Sequence, residues 1–130
     1  MFMMPKQEIE RLRELTDILD ESDAAIYMFF RLCPIVMVVA DRFRFHRVSD
    51  YFCRVLQRDS AELCSRPWSE LIHPEDVDTT RVTARTQDGE DIIGFTNRYL
   101  RADGTYVSLR WRAGVWSDGG LTYAVAEVVR

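Results

Sequence analysis

The stretch from Phe95 to Trp116 constrains this chain more than any other, because it reads as a β-hairpin with one apolar face. Two runs rich in aromatic and β-branched residues flank Ala102-Asp103-Gly104-Thr105, and the Asp-Gly pair supplies the positive φ that a tight reversal needs. In the second arm Val107, Leu109, Trp111, Ala113 and Val115 fall on one side, with Ser108, Arg110, Arg112 and Gly114 on the other. Successive side chains of a strand point to opposite faces, so the first set is meant for a core. The stretch holds no nucleophile, metal-ligand cluster or phosphate loop, which turns attention to binding rather than catalysis.

The rest of the chain supplies partner strands. Ile35 to Ala40 is a continuous apolar run, too short for a helix and β-branched enough for a central strand. Asp41-Arg42 turns the chain, and Phe43 to Val48 alternates as a second strand. Beyond the hairpin, Ser117-Asp118-Gly119-Gly120 is a further turn and Leu121 to Val129 a last strand. Short helices fill the middle. Ser49 caps one from Asp50 to Leu56, and Asp59-Ser60-Ala61-Glu62 is a capping-box variant that opens another. Pro74 suits the first position of a helix reaching Arg85, where Glu75 and Asp76 complement the helix dipole. This order predicts an α+β fold: a five-stranded antiparallel sheet with its helices on one face.

Ahead of the sheet, residues 6–21 read as an amphipathic helix. Leu12, Leu15 and Leu19, continued by Ser22 and Ile26, keep the 3-4-3-4 spacing of a coiled-coil seam, and Ile9 and Ile18 widen it. Two readings stand side by side: a flanking helix packed on its own domain, and a helix that pairs with a second subunit. The chain divides on this basis into a flanking helix, 1–22, and a globular domain, 23–130. A second helix from Asp23 to Leu32 is expected to bury Ile26, Phe29 and Phe30 before Pro34 stops it.

Charge and cysteine usage narrow the function. Through Asp23 there are seven acids against three bases, whereas the remaining 14 acids and 14 bases cancel. No basic surplus marks a nucleic-acid binder, so direct contact with nucleic acid is not expected. Cys33, Cys53 and Cys64 are odd in number and lack metal-ligand spacing, which fits a reducing cytoplasm better than a disulfide framework. The apolar stretch from Ala24 to Ala40 has only 17 residues, interrupted by Arg31 and Pro34. That falls short of the roughly 20 residues a membrane span needs.

Three segments together resemble a PAS domain, the sensor module of bacterial signalling proteins. They are Asp59-Ser60-Ala61-Glu62-Leu63 leading to Arg66-Pro67-Trp68; Leu71-Ile72-His73-Pro74-Glu75-Asp76; and the Asn97-Arg98-Tyr99 to Leu109-Arg110-Trp111 hairpin. The resemblance spans Phe29 to the C-terminus and implies the strand order 2-1-5-4-3 around a small pocket beneath the helices. Ser49 stands where many members have Asn, and Arg42-Phe43 replaces a Gly-containing turn. The chain ends at Arg130, where the family usually continues through an Asp-x-Thr motif into an effector, so it reads either as a free-standing module or as the front of a longer protein.

The cofactor motifs of the family are not matched. The flavin-binding LOV subgroup uses Gly-x-Asn-Cys, and Ser65-Arg66-Pro67-Trp68 falls on those positions, with Trp68 in place of the adduct-forming Cys. Haem-binding members use a His on the long helix, and Val77 to Arg85 has none. Neither flavin nor haem is therefore expected. Strand phase and resemblance together place Val38, Ala40, Phe45, Phe52, Leu56, Trp68, Ile72, Leu109, Trp111 and Tyr123 round the pocket. So many large rings either surround a small apolar ligand or fill the space themselves. A dimer or partner face is expected from Leu12, Leu15, Leu19 and Ile26 with Arg98, Arg110 and Arg112. The chain thus reads as a cytoplasmic, non-catalytic sensory module, a homodimer that acts on a signalling effector. The alternative is a ligand-free adaptor.

Overall fold

A computed structural model describes residues 21–85, 91–116 and 120–130. Helix α1, Glu21–Leu32, leads through Pro34 into strands β1, Val36–Ala40, and β2, Phe45–Val48. Helices α2, Asp50–Leu56, and α3, Ser60–Ser65, follow, then two single 3-10 turns, Trp68–Glu70 and Pro74–Asp76, and helix α4, Val77–Arg85. Strands β3, Ile92–Leu100, β4, Tyr106–Trp116, and β5, Leu121–Val128, complete the sheet. Its order is β2-β1-β5-β4-β3, all neighbours antiparallel, as predicted.

Local chemistry explains most boundaries. The β3–β4 reversal uses Gly104 at φ 90°, and the Asp103 carboxylate accepts from the Thr105 N–H at 2.9 Å and from its hydroxyl at 2.6 Å. Asp59 caps α3 by accepting from the Glu62 N–H at 2.7 Å, but Glu62 does not complete a capping box. Its carboxylate instead meets Arg58 at 2.7 Å and Arg66 at 3.1 Å. Strand β2 starts two residues later than predicted, because Arg44 makes an isolated bridge with Pro67 and the Phe43 carbonyl accepts from the Trp68 N–H.

Ser49 is a fully buried junction. Its Oγ accepts from the Phe52 N–H at 3.2 Å as the α2 cap and from the Met37 N–H at 3.0 Å. The same hydroxyl donates to the Ile35 carbonyl at 2.9 Å, tying the start of β1 to the start of α2.

Strand β3 carries a bulge at Gly94, φ 82°, between Ile93 and Phe95. The extra residue resets the alternation, so Ile92 and Phe95 both turn inward. The free edge of β3 is covered by the segment before α4: the His73 N–H donates to the Arg98 carbonyl, and the Leu100 N–H to that of Leu71. Covering an edge removes a template for unwanted pairing.

The predicted burial of α1 needs correction. Ile26 is 44% and Phe29 65% exposed, and only Phe30 is half-buried, with the Arg47 guanidinium 5.8 Å over its ring. Helix α1 lies beside the start of α2, where Arg31 approaches Asp50 at 3.9 Å, and its apolar stripe faces away from the sheet core. Leu12, Leu15 and Leu19 lie outside the described residues, as does nearly all of the expected 1–22 segment.

Candidate functional site

Between α4 and the inner face of the sheet lies a cavity of about 100 Å³. Val38 and Ala40 of β1, Phe45 of β2, Trp111 and Ala113 of β4, and Thr122 and Ala124 of β5 line its sheet side. Thr80, Thr83 and Ala84 of α4 face them, Ile92, Phe95, Asn97 and Tyr99 of β3 form a flank, and Asp41 and Trp68 complete the lining. Beside it packs an aromatic cluster, in which Phe52 meets Phe45 edge-on at 5.5 Å, Tyr99 at 5.7 Å and Trp111 at 6.2 Å.

Of the ten predicted pocket residues, the structure brings Val38, Ala40, Phe45, Trp68 and Trp111 to this cavity. Phe52, Leu56, Ile72 and Leu109 are buried in the surrounding core without reaching it. Tyr123 belongs to the opposite face and is 47% exposed. It pairs with Val39 and Gly114, both outward positions, while its neighbours Thr122 and Ala124 point in. Sequence reasoning chose the large ring over the small inward residues. It also missed Asn97 and Tyr99, although both share the inward phase of β3 with Phe95.

A chain of hydrogen bonds crosses the cavity wall. Trp111 Nε1 donates to Asn97 Oδ1 at 2.8 Å, Asn97 Nδ2 to Thr80 Oγ1 at 3.2 Å, and the Thr80 hydroxyl to the Asp76 carbonyl at 2.7 Å. At the other end Trp68 Nε1 donates to the Asp41 carbonyl at 3.2 Å. Burial pushes the Asp41 carboxyl up. Hydrogen bonds from His46 and from the Arg44 and Phe43 N–H groups outweigh that and bring it down to about 2. Tyr99 is 4% exposed, and burial drives its phenol far above the usual value, partly offset by a hydrogen bond from Asn97. Because Asn97 Oδ1 is taken by Trp111, the Asn97 amide meets the phenol as a donor and leaves the Tyr99 proton to be given elsewhere.

The cysteines are half-buried and unpaired with one another. Burial, helped by the nearby Asp50 charge, pushes Cys53 up to about 11, and burial raises Cys64. Both stay protonated near neutrality and are poor nucleophiles. His73 caps the Pro74 turn through Nδ1, which accepts from the Glu75 N–H at 3.1 Å, while Glu75 and Asp76 both turn to Arg98. Among the described residues, no three His, Cys, Asp or Glu side chains are grouped to hold a metal. None of the described helices is long and apolar enough to cross a membrane.

The outer face of the sheet forms a shallow hollow lined by Phe30, Met37, Ile93, Arg112, Tyr123 and Val125, among others. Ile93 is 69% exposed there. Two of the predicted partner-face arginines are paired within the chain. Arg98 bends over the β3 edge to Asp76 at 2.8 Å and Glu75 at 3.1 Å, and Arg110 pairs across the ladder with Glu127 at 2.8 Å. Arg112 alone of the three borders the hollow, and Arg98 and Arg110 both meet carboxylates of this chain.

The model of the PAS fold matches residues 45–126. Among curated proteins, none matches the sequence. Among solved structures, the PAS domain of an HTR-like protein from Haloarcula marismortui superposes with a TM-score of 0.72 at 20% identity, covering 96% of this chain and 100% of that one. The LOV domain of a blue-light activated histidine kinase from Erythrobacter litoralis gives 0.58 at 17% identity, over 74% and 96%. A light-oxygen-voltage domain studied with a flavin analogue gives 0.63 at 19%, over 85% and 87%. These neighbours correct the expectation that flavin and haem are to be set aside. That expectation rested on motif positions such as Trp68, whereas the architecture itself is shared with flavin-binding LOV domains and is compatible with a cofactor.

Proposed function

This chain belongs to the PAS fold family, and on that premise we propose that it is a sensory module that binds a small apolar ligand in the α4 cavity and associates through its outer sheet face. The observation that carries this reading is that the same strands line both surfaces. Val38, Ala113 and Ala124 meet the cavity, while the adjacent Met37, Arg112 and Val125 meet the outer hollow. Because packed interiors transmit small displacements, a change in cavity filling moves the strands that form the other face.

In this reading two copies meet through the outer hollow and the exposed Ile26 and Phe29 of α1, with Leu12, Leu15 and Leu19 of the 1–22 segment extending the seam ahead of the 23–130 domain. The module is cytoplasmic, has no catalytic activity of its own, does not contact nucleic acid, and passes its signal to an effector protein or downstream domain. Light scattering of the full chain beside a version starting at Ser22 tests the association. A dimer that becomes a monomer on truncation supports it, and two monomers refute it.

A second reading, a ligand-free adaptor, draws on the Phe45, Phe52, Tyr99 and Trp111 cluster, which leaves only about 100 Å³ beside it. It keeps the outer-face association and dispenses with the ligand.

A further inference from the structure

We infer that the α4 cavity selects a small neutral molecule carrying a hydrogen-bond acceptor, a carbonyl or ether oxygen, which the hydroxyl of Tyr99 anchors. This rests on the cavity being the ligand site proposed above.

The donors along the wall decide the chemistry. Trp111 Nε1 is committed to Asn97, Trp68 Nε1 to the Asp41 carbonyl, and the Thr80 and Thr83 hydroxyls to the Asp76 and Thr79 carbonyls, while Thr122 is only half-buried. Tyr99 is different: it lines the cavity, is 4% exposed, and its side-chain partner Asn97, whose Oδ1 is held by Trp111, donates to the phenol oxygen rather than accepting from it. A buried donor left unmatched is unfavourable, so an acceptor oxygen delivered by a ligand restores what the protein withholds.

Charge excludes ions. The one ionisable carboxylate at the cavity is Asp41, among the described residues, and no cationic side chain lines it. An anion would sit unpaired beside that carboxylate, at a desolvation cost nothing repays. A cation finds no free oxygen either, since Asp41 already accepts from Phe43 at 2.7 Å, Arg44 at 2.8 Å and His46 at 2.7 Å.

Size limits the rest. The volume of about 100 Å³ is smaller than the roughly 150 Å³ of an apolar cavity that takes benzene. A five-membered ring or a short branched chain is the scale that fits.

The test is NMR of the full chain, titrated separately with cyclopentanone, cyclopentane and cyclopentanecarboxylate. The methyls of Ala84, Ala113 and Ala124 and the indole N–H of Trp111 serve as reporters. Cyclopentanone should shift these signals, and Tyr99→Phe should weaken its binding about tenfold while leaving cyclopentane unaffected or tighter. The carboxylate should leave the reporters unmoved. Unchanged ketone affinity in Tyr99→Phe, or carboxylate binding as strong as the ketone's, overturns the inference while leaving the cavity a ligand site. If none of the three probes shifts the reporters, the ligand-site reading fails and the inference with it. A variant that does not fold is replaced by tyrosine ¹³Cζ labelling of the unmodified chain. The Tyr99 signal should then move with cyclopentanone and not with cyclopentane, and an unmoved signal at saturation refutes the anchor.

Discussion

Asp76 holds Arg98 by main chain and side chain together: Oδ2 accepts from the Arg98 N–H and from its Nε, each at 2.9 Å, and Oδ1 accepts from Nη2 at 2.8 Å. The arrangement fastens the start of α4 to the edge of β3, and hence one wall of the cavity to another. Removing the carboxylate frees a strand N–H and a guanidinium at once. Asp76→Ala should cost about 1.5–3 kcal/mol and speed amide exchange at Arg98 and Leu100. Equal thermal midpoints and unchanged exchange would show that the clamp is incidental.

Acid should loosen both edges of the sheet. Both Asp76, through its hydrogen bonds with Arg98, and Asp41, in its cradle of three donors, have carboxyls held below their ordinary values. A depressed carboxylate contributes stability above its unfolded pKa of about 3.9, and that contribution disappears as pH falls through the folded value, about 2 for Asp41. Denaturation of Asp41→Asn should therefore vary less than that of the parent between these limits. Identical pH profiles would contradict the assignment.

The Ser49 hydroxyl makes three hydrogen bonds where β1 meets α2. Ser49→Ala should lower stability by about 1–2 kcal/mol, the upper part of the range for a lost helix cap, because the Met37 and Phe52 N–H groups lose their acceptor together. Urea unfolding measures this directly. A loss near zero would mean that water replaces the hydroxyl at a site the structure shows as fully buried.

Association through the outer face is open to a single substitution. Val125 pairs with Arg112 in the β4–β5 register and is 37% exposed. Val125→Lys sets two cations side by side in the hollow and should turn a dimer into a monomer by sedimentation, with unchanged circular dichroism. A dimer that persists would move the interface elsewhere.

Much of this fold was legible because its signals are local. The alternation of Val107, Leu109 and Trp111, the Asp103-Gly104 turn and the Ser49 and Asp59 caps each depend on neighbours within a few residues. The five-strand order came with the family resemblance and was then observed. The site was less legible because it depends on register. The bulge at Gly94 resets β3, and the pairing of Tyr123 with Gly114 sends a large ring outward. A glycine inside an alternating strand was the available hint of the first. The exposed stripe of α1 followed the helical period as predicted, but periodicity does not say what the stripe faces. Trp68 in place of the adduct-forming Cys is a poor guide to cofactors for a related reason, since a shared architecture admits ligands that one motif does not encode.

The central claim is that the α4 cavity is occupied when the protein works. Native mass spectrometry of the full chain, purified without denaturation from the cells that produce it, tests this most directly. The expected result is a noncovalent small-molecule adduct that is lost under denaturing conditions and absent from a variant whose cavity is filled by Ala124→Leu. Spectra showing only the mass of the bare polypeptide would contradict the sensory account and leave the adaptor.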